Sequence, residues 1–349
     1  MNNRNDERIL RQISRRRPRR KTGLSPIWIL LALSAVFLAV LFTLLLPDRN
    51  NEGTEVTGTD SSTVITDADG STVIEESTGP IEKYPGYTEL VIKNEEIHRG
   101  DLILVSSDYA YVFPDDAEIV SITENKTSDY KVAYSNLYLD SRILGIFNDM
   151  LSEFASVMDR RDVIVNSGYR DYESQKKIYD ERKQLYGQAY VDKYVQKPGY
   201  SEHHTGYALD MSVYTDAGVS LTFDKDPDFS WFYHASHTYG FIRRYAGHKE
   251  EITGIGNEEW HFRYVGKPHA YYMYTNDLCL EEYIDLLRSY PFDGEHLEFR
   301  DDAEQLWEMY FIPADESGET EVYIPIEGEY TLSGNNVDGF IIAAEKRAD

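Results

Sequence analysis

The chain has 349 residues and a formal net charge of −26, with 61 acidic side chains against 35 basic ones. This acidity excludes a nucleic-acid-binding protein, because such proteins present a basic face to the phosphates. Cys279 is the only cysteine in the sequence, so an intrachain disulfide is excluded and the fold depends on its own apolar core.

The first part of the chain predicts a single-pass membrane anchor. Residues 1–26 contain nine Arg or Lys and two acidic residues, and residues 27–46 are an apolar run of twenty positions without a charge. Twenty helical residues cross a hydrocarbon core of ~30 Å. The positive-inside rule then keeps the basic tail in the cytoplasm and puts the rest of the chain outside the cell membrane. The alternative, a cleaved signal peptide, normally has a shorter apolar core of about 7–15 residues and a small-residue cleavage site.

The next segment, residues 47–85, consists mainly of Asp, Glu, Ser, Thr and Gly. Such a composition cannot bury enough apolar surface to offset the entropy lost on ordering. The sequence therefore predicts a disordered acidic stalk between the anchor and the folded region.

The folded region is predicted to be of the mixed α+β class, with a central antiparallel sheet flanked by helices over residues 86–290. Hydrophobic periodicity predicts helices at 143–158, 171–186, 230–239 and 280–290, and strands at 101–105, 109–113, 163–167, 209–213 and 259–265. Short strands separated by turn residues follow Pro291 and predict a small β appendage over residues 291–349.

Two separated motifs contain the residue types of a catalytic zinc site. The first is SEHHTGYALD at residues 201–210, and the second is EEWH at residues 258–261. Three protein ligands leave a fourth position on zinc for a water, whose pKa then falls to about 7. A nearby glutamate can act as the general base. The helical H-E-x-x-H signature of another class of metalloproteases is absent from the sequence.

The motifs suggest how these side chains could converge. Gly206 allows a turn between a loop that carries His203 and a strand that carries Asp210. If the strand that contains His261 is its neighbour, His261 lies across from Asp210, and Glu258 lies in the turn entering that strand. From there Glu258 could reach a metal-bound water without binding the metal itself.

Spacing alone does not decide which histidine of the first motif is the ligand. His204 competes with His203, and neighbouring residues on an extended segment point in opposite directions. The other histidines of the chain are interpreted as polar surface residues or as core residues whose polar atoms are capped.

The motifs resemble the VanY-type family of D-alanyl-D-alanine carboxypeptidases, which is related to D-Ala-D-Ala dipeptidases and to L,D-carboxypeptidases of cell-wall turnover. The matching residues are Ser-x-His-x-x-Gly-x-Ala-x-Asp at 201–210, Glu-x-Trp-His-Phe-Arg-Tyr-Val-Gly at 258–266, and Ser-Gly-Tyr-Arg at 167–170 with Gln175. The resemblance covers roughly residues 143–265.

This resemblance implies a zinc peptidase domain with one Zn²⁺ bound by His203, Asp210 and His261. It implies Glu258 as general base and acid, and Arg170 as the cation that faces the substrate. The implied substrates are peptidoglycan stem peptides, from which the enzyme would release the terminal D-alanine outside the membrane.

Four further residues are candidate substrate contacts. Ser201, Ser167 and Gln175 could donate hydrogen bonds to the substrate backbone, although local structural roles explain them equally well. Trp260 is interpreted as a packing wall under the metal in preference to a stacking platform for the substrate.

One position departs from the family pattern. The family usually has proline after the catalytic glutamate, whereas this chain has Glu259. Glu258 is preferred as the base because its position matches the motif. On a regular strand Glu259 would share the side of His261, so this choice depends on the turn before the strand.

Other functions remain open at the level of sequence. An L,D-carboxypeptidase or an endopeptidase could use the same fold, because bond choice depends on pocket shape. A non-catalytic, zinc-stabilised wall-binding module is the further alternative, although a pure binder has no need of Glu258 and Arg170.

Overall fold

The computed structural model of the chain describes residues 63–66, 72–75, 84–214, 220–221, 223 and 226–346. The predicted cytoplasmic tail and the predicted membrane helix, residues 1–26 and 27–46, lie outside the described residues. Within the described residues, no helix has the length and apolarity to span a bilayer. Contacts divide the chain into two units, Arg16–Pro85 and a larger one that includes Gly86–Asp349.

The smaller unit contains a hairpin that the sequence analysis did not predict. Strands β1 (Thr63–Thr66) and β2 (Thr72–Glu75) pair antiparallel within the segment predicted to be a disordered stalk. Both strands consist mainly of Thr, Val and Ile, and β-branched residues favour extended backbone even where the surrounding composition is acidic.

The larger unit is of the mixed α+β class, as the sequence predicts. Its strands are β3 (Tyr87–Lys93), β4 (Ile119–Ser121), β5 (Lys131–Val132), β6 (Tyr138–Asp140), β7 (Val163–Ser167), β8 (Ala208–Tyr214), β9 (Ser220–Leu221), β10 (Phe241–Tyr245), β11 (Glu258–Tyr264), β12 (Leu297–Arg300), β13 (Leu306–Pro313), β14 (Glu319–Pro325), β15 (Tyr330–Gly334) and β16 (Gly339–Lys346). Its helices are α1 (Ile122–Asn125), α2 (Ser141–Met158), α3 (Tyr172–Tyr186), α4 (Gln188–Tyr194), α5 (Ser230–Ala235), α6 (Glu250–Thr253), α7 (Lys267–Thr275) and α8 (Leu280–Leu287).

The central sheet has the strand order β10-β11-β8-β7-β5, with β9 paired to β8. Its pairs within the described residues are antiparallel except for β5 and β7, which run parallel at one edge. The predicted central antiparallel sheet is therefore confirmed, with a parallel pair that the sequence analysis did not foresee.

The pairing of β8 with β11 positions the candidate site. His261 lies directly opposite Asp210, as predicted for two neighbouring strands. On the other side of β8, Ser167 of β7 is also paired with Asp210. Because side chains alternate along a strand, Leu209 and Met211 enter the apolar core, whereas Asp210 and His261 lie on the opposite face.

Helix α2 covers the core face of this sheet. The Asp140 side chain caps the helix by accepting hydrogen bonds from the backbone N–H groups of Arg142 and Ile143. Its apolar stripe is buried against the sheet and includes Phe147 and Phe154. Each such aromatic or aliphatic side chain contributes about 1.5–3 kcal/mol to stability, so the sheet under the site is firmly held.

The C-terminal strands form a second sheet with the order β12-β13-β16-β15, and β14 pairs with β3. The residues after Pro291 are thus joined to a strand that begins at residue 87, within the region predicted to be the main domain. A shared apolar cluster contains Leu102, Val265 and Leu280 together with Met309 and Ile341. The C-terminal segment therefore shares an apolar cluster with the part of the chain that carries the site.

The strands predicted at 101–105 and 109–113 are wrong, because both segments are irregular in the structure. Leu102 and Leu104 are buried as the pattern suggested, but their backbone makes isolated hydrogen bonds instead of pairing with a neighbouring strand. The Leu102 N–H donates to Ser333 Oγ, and the Leu104 N–H donates to the Asn335 carbonyl oxygen. Asn336 donates from its side-chain amide to the carbonyl oxygens of Leu104 and Ala110, at 2.7 and 3.0 Å. A short run of consecutive buried apolar residues, 102–105, thus imitated a buried strand.

Candidate metal centre and active site

The loop before β8 brings His203 to the end of the strand. Residues Glu202–Thr205 form a turn of 3₁₀ helix that ends at Gly206, whose φ is 76°. A Cβ atom at this position would lie 2.9 Å from the Ile119 side chain and 3.1 Å from the Asp140 nitrogen. Both the backbone angle and the close approach require glycine, as the sequence analysis expected of a turn.

Three side chains converge on one point in front of the sheet. One ligand atom each from His203, Asp210 and His261 lies within 4.8 Å of the others. Asp210 is central, because its two carboxylate oxygens lie 3.4 Å from His203 Nε2 and 3.0 Å from His261 Nδ1. Two imidazoles and one carboxylate are the donor set of a catalytic zinc site, so these residues fit a divalent cation.

The outer nitrogens of both imidazoles have fixed partners. His203 Nδ1 lies 2.7 Å from the carbonyl oxygen of Gly168, and His261 Nε2 lies 3.1 Å from a carboxylate oxygen of Glu202. An outer nitrogen that donates its proton to such an acceptor leaves the inner nitrogen's lone pair free for a metal. His203 would therefore bind through Nε2 and His261 through Nδ1.

Glu202, whose role the sequence analysis missed, is anchored by two arginines. Its carboxylate accepts hydrogen bonds from Arg244 Nε at 2.8 Å and from Arg263 Nη1 at 3.2 Å, and all three side chains are fully buried. Burial by itself would raise the pKa of Glu202, but the two guanidinium charges outweigh it and hold that pKa well below its usual range. The available signal was two arginines in apolar strands, which need a buried carboxylate partner.

The protonation states suit metal binding. Burial, reinforced by the charge of Arg170, lowers the pKa of His203 to about 4, so its imidazole is neutral near pH 7. Burial alone would lower the pKa of His261, but its hydrogen bonds to Asp210 and Glu202 raise it to about 9. A proton and a cation compete for the same Nδ1 lone pair, so metal binding here releases that proton.

Glu258 faces this cluster. Its Oε2 lies 4.0 Å from His261 Nδ1, and its side chain is nearly buried. Burial, together with the charges of Asp210 and Glu202, raises the pKa of Glu258 to about 8, while His261 and Arg170 oppose that rise. A carboxyl group that can hold a proton near neutral pH is suited to general acid and base catalysis.

The position of Glu258 differs from the one predicted. It is the first residue of β11, not part of a turn before the strand. The register between β10 and β11 shifts between Arg243 and Tyr245, so regular alternation is broken next to Glu258. Glu259 instead accepts a hydrogen bond from Asn257 at 2.8 Å and lines a different cavity. The irregular pairing thus lets Glu258, and not Glu259, face the histidines.

Arg170 follows β7 and lies beside the carboxylates. Burial lowers its pKa, and the nearby charges of Asp210 and Glu258 partly offset this. Its Nε is buried and has no hydrogen-bond partner among the described residues. An unpartnered guanidinium donor next to the cluster is available for a carboxylate or an oxyanion of a ligand.

His204 is not part of the cluster. Its Nδ1 lies 2.6 Å from the Arg170 carbonyl oxygen, and its Nε2 accepts the Gly199 backbone N–H at 3.0 Å. The ring also stacks near Tyr111. Both nitrogens are therefore occupied by backbone groups, Nδ1 by Arg170 and Nε2 by Gly199, which decides the choice that spacing left open.

The four candidate substrate contacts lie in different surroundings. Ser167 ends β7 opposite Asp210, and Ser201 is buried at the start of the 3₁₀ turn, so both lie near the cluster. Gln175 is buried in α3 and donates a hydrogen bond to the Gln196 carbonyl oxygen at 2.6 Å. Trp260 packs against the main apolar core. Trp260 therefore has a packing role, as predicted, whereas Gln175 Oε1 is buried without a hydrogen-bond partner among the described residues.

Two histidines and an aspartate thus lie together with a glutamate of raised pKa and with an arginine whose Nε has no partner among the described residues. The family profile of VanY, described as D-alanyl-D-alanine carboxypeptidase, matches residues 136–267. A D-alanyl-D-alanine carboxypeptidase of Enterococcus faecium is 32% identical over 258 residues, which cover 73% of this chain and 78% of that protein.

Two further proteins extend this likeness. This chain is similar to the crystal structure of the vancomycin-resistance D,D-dipeptidase VanXYg in complex with a D-Ala-D-Ala phosphinate analogue. The TM-score is 0.67 at 31% sequence identity, and the match covers 74% of this chain and 99% of the VanXYg chain. The bifunctional D-Ala-D-Ala dipeptidase and carboxypeptidase VanXYC of Enterococcus gallinarum is 37% identical over 130 residues, covering 36% of this chain and 68% of that protein. The chain belongs to the VanY family of D-alanyl-D-alanine carboxypeptidases, which confirms the resemblance read from the motifs.

Proposed function

We propose that this protein is a zinc-dependent carboxypeptidase that removes the terminal D-alanine from peptidoglycan stem peptides. The observation that carries the proposal is the convergence of His203, Asp210 and His261 in front of Glu258 and Arg170, in a member of the VanY family. Relatives named for action on D-Ala-D-Ala support this substrate class.

Zinc is proposed as the ion because two imidazoles and one carboxylate match its ligand preference. Bound at this position, zinc supplies Lewis acidity toward the scissile carbonyl and lowers the pKa of water to about 7. Glu258 then takes the proton of the attacking water and passes it to the leaving amine. The nearby charge of Arg170 favours the ionised form of Glu258, which it needs as a base.

Arg170 is proposed to bind the substrate through the donors that the protein leaves unpaired. Its planar guanidinium suits the terminal carboxylate of a D-alanine residue or the oxyanion that develops on the scissile carbonyl. His204 and the backbone N–H of Arg170, which donates to the His203 carbonyl oxygen at 3.0 Å, hold this residue in place.

The test is incubation of the full chain in detergent with a stem pentapeptide and a stem tetrapeptide, read by mass. We expect the pentapeptide to lose one alanine, a chelator to abolish the loss, and added Zn²⁺ to restore it. A pentapeptide with an amidated C-terminus should resist cleavage, because a carboxypeptidase recognises the free carboxylate. Cleavage of the amidated peptide at the parental rate would identify an endopeptidase, and cleavage of the tetrapeptide alone would identify an L,D-carboxypeptidase. Retained zinc without any cleavage would indicate the wall-binding module.

We also propose that residues 27–46 anchor the protein with its C-terminal part outside the cell membrane. Support comes from twenty uncharged residues after a strongly basic segment. The full chain should stay in the membrane pellet after extraction with alkaline carbonate, while a version that begins at residue 47 should be released. Release of both forms would contradict the anchor.

A further inference from the structure

One of the two arginines that anchor Glu202 has a second carboxylate partner. Arg244 is 1% exposed, and its Nε donates to Glu202 Oε1 at 2.8 Å while its Nη2 donates to Glu281 Oε1 at 2.7 Å. Its Nη1 is buried and has no hydrogen-bond partner among the described residues. These two hydrogen bonds therefore fix the orientation of the guanidinium group.

The same contacts form a continuous line of hydrogen bonds that ends at a candidate metal ligand. Arg244 and Arg263 both donate to Oε1 of Glu202. The other oxygen of that carboxylate, Oε2, lies 3.1 Å from His261 Nε2. Because the arginines hold one oxygen, the second is directed to the imidazole. Through Arg244 the line continues to Glu281, which is not among the side chains that form the candidate metal centre.

The backbone does not fix the direction of the Arg244 side chain. The register between β10 and β11 shifts between Arg243 and Tyr245, and Arg244 is not paired with any of the residues described for β11. Regular alternation of side chains is lost at such an irregularity. The partners of the guanidinium group therefore determine where it lies.

Glu281 is itself held in place, because it lies in the first turn of α8. The Cys279 N–H donates to Glu282 Oε2 at 2.9 Å and caps this helix. The apolar face of α8, which includes Leu280, is buried in a cluster that it shares with Met309 of the C-terminal sheet. Contacts between α8 and the C-terminal segment therefore fix the position of the Glu281 carboxylate.

The charges of this buried group balance. The side chains of Glu202, Arg244 and Arg263 are fully buried, and that of Glu281 is 16% exposed. Two carboxylates and two guanidinium groups carry no net charge. Without the charge of Glu281, one positive charge would remain uncompensated beside a site for a divalent cation, and Arg244 would depend on Glu202 alone. Loss of this charge should therefore loosen the carboxylate that orients His261.

We propose that Glu281 is a positioning residue for the metal centre and acts on a ligand imidazole through Arg244 and Glu202. Its carboxylate holds the guanidinium group, and the guanidinium group holds the carboxylate that accepts from the outer nitrogen of His261. The inference rests on the proposed zinc site. It also gives the C-terminal segment, through its contacts with α8, a part in keeping that site in order.

The experiment is a zinc-competition titration of the full chain in a non-ionic detergent, with urea unfolding of the same samples. Glu281→Gln keeps the size of the side chain and removes its charge. Glu282→Gln is the matched control, because Glu282 lies in the same helical turn but pairs with Lys249 at 2.8 Å. Arg244→Met, alone and together with Glu281→Gln, removes the link between Glu281 and Glu202.

We expect Glu281→Gln to bind zinc roughly threefold to tenfold more weakly than the parent, less than the loss of about 10–100-fold that is typical of a direct outer partner. Glu282→Gln should match the zinc affinity of the parent within about twofold, whatever its loss of stability. In the Arg244→Met background, adding Glu281→Gln should change the zinc affinity by less than about twofold, because the link is already absent.

Equal zinc affinity of Glu281→Gln and the parent would overturn the proposal. An equal loss with and without Arg244 would overturn it too, because the charge of Glu281 would then act on the metal directly. A loss in Glu282→Gln as large as that in Glu281→Gln would reduce the effect to general weakening of α8 and would also contradict the proposal. Failure of the parent itself to bind zinc would overturn the proposed function and this inference with it.

Discussion

Replacing Glu258 by glutamine is expected to lower kcat for D-alanine release by roughly 10²–10⁴-fold, the usual contribution of a general acid–base group. Glutamine keeps the size of the side chain and one acceptor oxygen but cannot accept the proton of water. The three ligand side chains are unchanged, so the variant should retain zinc at the parental stoichiometry. Steady-state kinetics on a stem pentapeptide, together with metal analysis of the same sample, would measure both quantities.

The neighbouring residue provides the control for this variant. Glu259→Gln changes the same functional group one position along the strand, where the side chain is bonded to Asn257 and faces the other cavity. Its kcat should stay within about threefold of the parent, since Glu259 does not face the cluster. A loss in Glu259→Gln as large as that in Glu258→Gln would show that the carboxylates were assigned in the wrong order. An undiminished rate in Glu258→Gln would remove it as the base.

Replacing Glu202 by glutamine is expected to lower the free energy of unfolding by about 3–5 kcal/mol, because Arg244 and Arg263 then lose a buried counter-charge. The same change weakens the acceptor on His261 Nε2, which orients the ring for the metal. Loss of such an outer partner typically costs about 10–100-fold in metal affinity. Urea unfolding and a zinc-competition titration would measure the two effects separately.

A surface ion pair serves as the comparison. Glu250 pairs with Lys193 at 2.5 Å, but both side chains are about 40% exposed. Glu250→Gln should therefore change the free energy of unfolding by no more than ~1 kcal/mol. If Glu202→Gln lowered the free energy of unfolding as little as Glu250→Gln, the buried ion pairs of Glu202 would not hold the carboxylate that anchors His261. If stability fell but zinc affinity did not, the orienting role alone would be contradicted.

The partners of Glu202 could not be predicted from the sequence. His261 and Asp210 could be placed opposite each other because each lies in a recognisable strand and the two strands are neighbours. Nothing local to Glu202 indicates that its carboxylate meets Arg244 and Arg263, which lie in two other strands and are 42 and 61 residues away. Long-range charge pairing depends on the fold as a whole, so composition and periodicity do not contain it.

The same reason explains the misassigned segments. Residues 101–105 have the apolar content of a strand, yet their backbone is held by an asparagine more than 200 residues away. Conversely, strand β10 was not predicted, although it forms an edge of the central sheet and carries Arg243 and Arg244. Short buried segments have similar patterns whether or not a neighbouring strand is present to pair with them.

The sequence by itself determined the family, the α+β class, helix α2 and strands β7, β8 and β11, and it limited the candidate site to residues of three short motifs. These follow from local periodicity and from motifs whose chemistry is fixed by residue type. Only the tertiary structure decided that His203 and not His204 faces the metal position, that Glu258 and not Glu259 faces the histidines, and that Glu202 holds His261. Each of these depends on which way a side chain points, and that direction is set by irregular backbone and by contacts from distant parts of the chain.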